Sequence, residues 1–154
     1  MDRTKQRDVR QKRVHYAEGH DITYAVAVRK LLVLQSWAFE KTYKTECECF
    51  PTSWDLNLKF LEVREDATAS LSVIFTRSDS ENVELEACIW VQICDFHESL
   101  IFPKQTFERG SMLPGDVLRE TVEISSFPER REAINGSIIV HISIMIHFCH
   151  TDTD

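Results

Sequence analysis

Residues 83–94 alternate without a break, and this period of two limits what the chain can fold into. Val83, Leu85, Ala87, Ile89, Val91 and Ile93 fall on one face, and Glu84, Glu86, Cys88, Trp90, Gln92 and Cys94 on the other. Successive side chains of a strand point to opposite faces, so the segment reads as a long strand with one dry face and one mostly wet face. The same rhythm returns in Trp54, Leu56, Leu58 and Phe60, in Leu71, Val73 and Phe75, and in the stripe from Ile138 to Phe148. The last stripe also has Ile139 and Met145 on its second face, so it is expected to be covered on both sides. Polar or turn-forming breaks separate the runs. Residues 77–82 (Arg-Ser-Asp-Ser-Glu-Asn) read as a hairpin loop, 95–99 as a second break, and 110–116, with Gly110, Pro114 and Gly115, as a loop. Short strands joined in this way predict an all-β fold, an antiparallel β-sandwich of seven to eight strands. One short helix is expected between Val117 and Arg131, where Leu118 and Val122 stand four apart among Glu and Arg.

The 154 residues suit one domain, with 43% hydrophobic and 28% charged side chains, as in an ordinary globular protein. Its four glycines, Gly19, Gly110, Gly115 and Gly136, have no dinucleotide-binding or P-loop spacing, which excludes those phosphate cradles. Charge is uneven. Residues 1–16 hold six basic and two acidic side chains, a net +4, while the rest holds 12 basic and 23 acidic, a net −11. The division expected is a basic, mobile tail over residues 1–20 and a sandwich over 21–150. So acidic a domain lacks the clustered Lys and Arg that phosphate contacts require, and no nucleic-acid partner is expected. The N-terminus has no apolar signal segment, and Arg29 and Lys30 interrupt the apolar run from Tyr24 to Leu34. No membrane partner is therefore expected. Five cysteines, an odd number, suit reduced thiols in the cytoplasm or nucleus.

The reactive side chains give little chemistry. Cys47, Cys49, His147, Cys149 and His150 offer donors for zinc, but their spacing matches no standard knuckle, so no metal and no cofactor are expected. Cys94, Asp95 and His97 are neighbours in sequence, whereas catalytic partners must converge in space with a third, orienting group. The chain is expected not to be an enzyme. Trp37 and Trp54 are in phase with apolar neighbours and are expected in the core. Trp90 points away from its stripe and is expected beneath a loop, the alternative being an exposed aromatic on a binding face.

From about Leu32 the order of landmarks resembles a meprin and TRAF homology (MATH) domain, as found in speckle-type POZ proteins. Ser36 to Lys41 resembles its opening strand, and Phe50 to Leu58 its Phe…Trp-x-Leu-x-Leu segment. Leu71–Phe75 and Val83–Asp95 resemble two central strands, Phe107-Glu108-Arg109-Gly110 the Phe-x-x-Gly lead into the binding loop, and Ile138–Ile146 the closing strand. The resemblance implies an eight-stranded antiparallel sandwich that binds an extended, Ser/Thr-rich peptide of a partner protein, like the substrate-recognition domain of a ubiquitin-ligase adaptor. Its groove maps onto Ile74, Ile89, Gln105, Gly110, Ser111 and Leu113. The family's aromatic triplet falls on Leu113, Pro114 and Gly115, so an altered or weaker ligand preference is expected. Too few residues follow the last strand for a POZ domain, and ligase recruitment by this chain is not expected. The alternative from the residues alone is a structural or assembly sandwich with no peptide groove, including weak self-association. A calcium- and lipid-binding C2-type sandwich lacks the clustered aspartates it would need.

Overall fold

A computed structural model of the chain describes residues 9–15 and 19–149. Its strands are β1 (Val9–His15), β2 (Gly19–Arg29), β3 (Trp37–Lys44), β4 (Ser53–Leu61), β5 (Thr68–Arg77), β6 (Leu85–Cys94), β7 (Gln105–Met112), β8 (Val117–Ser125) and β9 (Ser137–His147). A one-turn helix α1 (Leu31–Leu34) follows β2, and a 3-10 segment (Pro128–Asn135) precedes β9. Five strands form one sheet in the order β1-β2-β9-β6-β7, and four form the other in the order β3-β4-β5-β8. All pairings are antiparallel. The expected β-sandwich is what forms, with nine strands among the described residues.

The alternation in sequence becomes the core. Ile22, Tyr24, Val26 and Val28 of β2, Leu85 to Ile93 of β6 and Ile138 to Ile146 of β9 turn one face inward, against Trp54 to Phe60 of β4 and Leu71 to Phe75 of β5. Trp54 is fully buried and stacks on Phe75 with ring centroids 5.0 Å apart, and Trp37 packs against Phe60 at 5.4 Å. β9 lies between β2, paired from Ser137 to His147, and β6, paired from Ile139 to His147; its second face is not covered as expected, and Ile139 and Met145 stay half-buried.

Three expectations need correcting. Residues 77–82 do not close a hairpin, because β5 and β6 lie in different sheets and the loop crosses between them. Val117–Ser125 is strand β8, with no helix, because it pairs with β5 along nine residues and gives that strand its second partner. The expected tail contains β1, which pairs with β2 from Val9↔Val26 to His15↔His20. Residues 1–8 of that tail lie outside the described residues. Arg10, Lys12 and Arg13 make β1 a basic edge, a charge pattern that discourages pairing with other strands. Arg13 holds it beside β3, with its Nη1 donating to the Lys44 carbonyl at 2.8 Å and its guanidinium 5.3 Å from the Tyr43 ring. No helix among the described residues is long and apolar enough to cross a membrane.

Candidate functional site

At the side of the sandwich away from β1, the edge strands β7 and β8 come together. The loop Leu113-Pro114-Gly115-Asp116 carries the chain from one sheet to the other. Gly115 has φ of +90°, a left-handed backbone that costs other residues about 1–2 kcal/mol. Asp116 fastens the turn, its Oδ2 accepting the Leu113 N–H at 2.9 Å. Arg109 reaches across from β7, donating to the Val117 carbonyl at 2.8 Å and pairing with Asp116 at 3.3 Å.

Beneath the loop lies Arg77, a fully buried arginine at the end of β5. Its guanidinium donates to the carbonyls of Glu81 at 2.7 Å, Met112 at 2.7 Å and Val83, and pairs with Asp79 at 3.1 Å. Its backbone N–H donates to Asp116 O at 3.0 Å, and its carbonyl accepts from Gly115 N at 2.9 Å. One residue thus joins the crossing loop and the end of β7 through its side chain, and the β7–β8 turn through its backbone. Asp79 also accepts the N–H groups of Ser53 and Glu81, each at 2.9 Å. Burial pushes the Asp79 carboxyl up, but Arg77 and those two N–H groups outweigh it and hold the pKa below the usual carboxylate value. Sequence reasoning missed this hub, because an arginine opening a polar run resembles a solvated turn.

The six groove residues divide three ways. Gln105, Gly110, Ser111 and Leu113 lie together along β7 and the turn after it, and Leu113 is 37% exposed. Ile89 is fully buried on the inner face of β6, where it pairs with Phe107, so it cannot touch a ligand. Ile74 is on the outer face of the other sheet, in a shallow depression of about 320 Å³ with Lys41, Asp55, Asn57 and Thr76. The strand phase of residues 71–75 and 83–94 separates these two isoleucines by the thickness of the sandwich. Trp90 is 37% exposed on the outer face of β6 and is not under a loop; the Lys104 ammonium sits 3.3 Å from its ring centroid. A larger hollow of about 500 Å³ lies on the outer face of the five-stranded sheet, lined by Ala25, Ala27, Ile139, His141 and the exposed Phe96.

The nucleophile reading finds no geometry to support it. Asp95 Oδ1 accepts the backbone N–H groups of His97 at 2.8 Å and Ser99 at 3.0 Å, and its other oxygen pairs with Arg130. Burial pushes the Cys94 thiol pKa up, and Glu98 adds to the effect, which disfavours the thiolate.

The thiols behave differently beside β2. His20, Cys47 and Cys149 are all buried, and their donor atoms lie within 4.8 Å of one another. Of the sequence candidates for zinc, His147 is elsewhere, paired with Glu86 at 3.1 Å, Cys49 is exposed, and His150 lies outside the described residues. His20 was missed, although its signal is present: it continues the phase of Ile22, Tyr24, Val26 and Val28 and so must point inward.

Fold and edge together define an antiparallel β-sandwich with an accessible edge strand beside a fastened turn. No protein-family model and no curated protein matches the chain. Among solved structures, the enzymatically active domain of tailspike protein 4 from bacteriophage CBA120 is similar at 5% identity and a TM-score of 0.28. The match covers 91% of this chain and 18% of that one, so the chain spans under a fifth of the length of that protein. A likeness this low carries no argument about function.

Proposed function

We propose that the chain is a protein-interaction module of the MATH type, without catalytic activity, which binds an extended segment of a partner along β7 and the 113–116 turn. The observation that carries this reading is that Gln105, Gly110, Ser111 and Leu113 are spread along β7 and the turn after it, and that β7 ends its sheet among the described residues. Such an edge offers backbone hydrogen bonds to an added strand, and Leu113 offers an apolar contact for selectivity. The MATH resemblance is supported further by the strands after β1, which divide into two antiparallel layers of four. A setting in the cytoplasm or nucleus accords with five free cysteines.

The test is an array of Ser/Thr-rich peptides, followed by NMR titration of the hits onto labelled protein. Shifts should concentrate on residues 105–116. Leu113→Asp should weaken binding about tenfold or more, since it replaces an apolar contact by a charge. Ile74→Asp should leave binding unchanged. Shifts centred on the Ile74 depression, or no binding by any peptide, would overturn the reading.

A second reading, homotypic assembly, is favoured by one observation. Val33 is 77% exposed, Leu34 45% and Leu61 39%, and the Val63 N–H bonded to the Gln35 carbonyl at 3.0 Å brings the two segments together. Sizing across a hundredfold range of concentration, with Val33→Glu as control, would detect it.

A further inference from the structure

Three residues far apart in sequence meet where the first turn of β2, the loop after β3 and the end of β9 converge. His20 is 3% exposed, Cys47 4% and Cys149 fully buried. His20 and Cys149 belong to the five-stranded sheet, whereas Cys47 follows β3 of the four-stranded one. The backbone turns Cys149 inward against the phase of its strand, whereas Cys47 keeps the inward phase of Trp37, Phe39, Tyr43 and Thr45. Phe148 has φ of +73°, which reverses the alternation at the end of β9: the phenylalanine is turned out, 59% exposed, and the cysteine goes in. Glu46, just before Cys47, has φ of +56°. Positive φ is uncommon outside glycine, and notable for an aromatic residue. Cys47 Sγ also lies 4.0 Å from the Cys149 carbonyl. Cys49 stands exposed two residues further along the same loop, outside the 4.8 Å cluster.

We propose that His20, Cys47 and Cys149 form a structural zinc site that ties the two sheets together, with Cys49 brought in by movement of its exposed loop as the fourth ligand. One imidazole and three thiols are a zinc donor set, and the borderline-soft N and S atoms favour zinc over magnesium or calcium. Tetrahedral zinc with Zn–S of about 2.3 Å and Zn–N of about 2.0 Å sets its ligand atoms roughly 3.5–3.8 Å apart. The three buried donors, all within 4.8 Å of one another, need to close by about an ångström at most. On binding, each thiol releases its proton to solvent and His20 coordinates as the neutral imidazole. The exposed Cys49 side provides the path for the ion. This site shares an end of the sandwich with the 113–116 turn but is separated from β7 by β6, and it does not depend on peptide binding.

The test uses the full chain, expressed with added zinc and purified in reducing buffer. Elemental analysis should find about one zinc per chain, and cobalt titration of the stripped protein should give the thiolate charge-transfer and visible bands of a tetrahedral site. Serine at Cys47 or Cys149 risks unfolding, so Cys49→Ser carries the ligand test. It should retain the native circular dichroism and weaken cobalt binding at least about tenfold. Cys88→Ser, on the outer face of β6, should bind cobalt as the wild type does. Protein that holds no zinc and gives no charge-transfer band, or that contains a Cys47–Cys149 disulfide detected as the loss of two hydrogens by mass, would overturn the site. Unchanged cobalt affinity in Cys49→Ser would overturn the proposed ligand set.

Discussion

Arg77 and Asp79 show how far one pair of residues can govern a local structure. The arginine side chain is fully buried and the aspartate side chain 8% exposed, so removing one partner leaves a charge without water or counter-ion. Arg77→Met should therefore cost about 3–5 kcal/mol in urea unfolding. Arg77→Lys should recover little, because an ammonium cannot reach Asp79 and the Glu81, Val83 and Met112 carbonyls at once. The pair also gives the fold an acid limit. A folded pKa held below that of the unfolded chain contributes stability above the unfolded value, near about 4, and loses it as pH falls through the folded one. Stability should fall below about pH 4, and Asp79→Asn should be less stable at neutral pH with a shallower acid loss. Trp54→Ala, in the stacked pair with Phe75, should cost about 3–5 kcal/mol by thermal or urea unfolding. The burial of Trp54 was legible from its phase. Arg77 shares the inward phase of Leu71, Val73 and Phe75, so its direction was legible too, but its partners, from the crossing loop and the end of β7, were not.

Among the elements, strands with long unbroken alternation were legible, whereas β1, β2 and β8 were not read as strands. β6 and β9 carry their assignment in unbroken alternation. Leu118, Val122 and Ile124 of β8 are spaced by four and two, which suits a helix face as well as a strand; pairing with β5 decides between them. Hairpin and crossing loops look alike in sequence, because both need only polar turn residues. The start of β2 has a tighter constraint. A Cβ built on Gly19 would lie 2.0 Å from the Ile146 carbonyl oxygen, so Gly19→Ala must push β2 away from β9. A loss of roughly 1–3 kcal/mol in urea unfolding is expected. At Gly110 a Cβ meets nothing within 4 Å. Gly110→Val should therefore leave folding unchanged to within about 0.5 kcal/mol while obstructing a peptide on β7, which calorimetry with a bound peptide would reveal.

For the whole molecule, the two sheets meet at opposite sides through different devices. Arg109 and the Asp116 turn close the β7–β8 side, and Arg13 links β1 to β3 on the other. The His20–Cys47–Cys149 cluster stands where the five-stranded sheet meets the loop leaving β3. A zinc ion there would stabilise only the folded chain, so a chelator should lower the unfolding midpoint in reducing buffer, and added zinc should restore it. Peptide binding at β7 should survive the same treatment below that midpoint.

The sequence by itself determined the class of fold, because strict alternation buries one face only when strands pack in layers. It determined the burial of Trp37 and Trp54 and the membership of Gln105, Gly110, Ser111 and Leu113 in one stretch of chain. Strand phase also turned Ile74 outward and Ile89 inward, and only the tertiary structure decided that the two strands lie in different sheets, since alternation gives a residue's face within a strand but not the sheet that receives the strand. It also decided that His20 meets Cys47 and Cys149, residues 27 and 129 positions away along the chain. Contacts of that span depend on strand order and on the positive φ of Phe148, and no local pattern in the sequence encodes either.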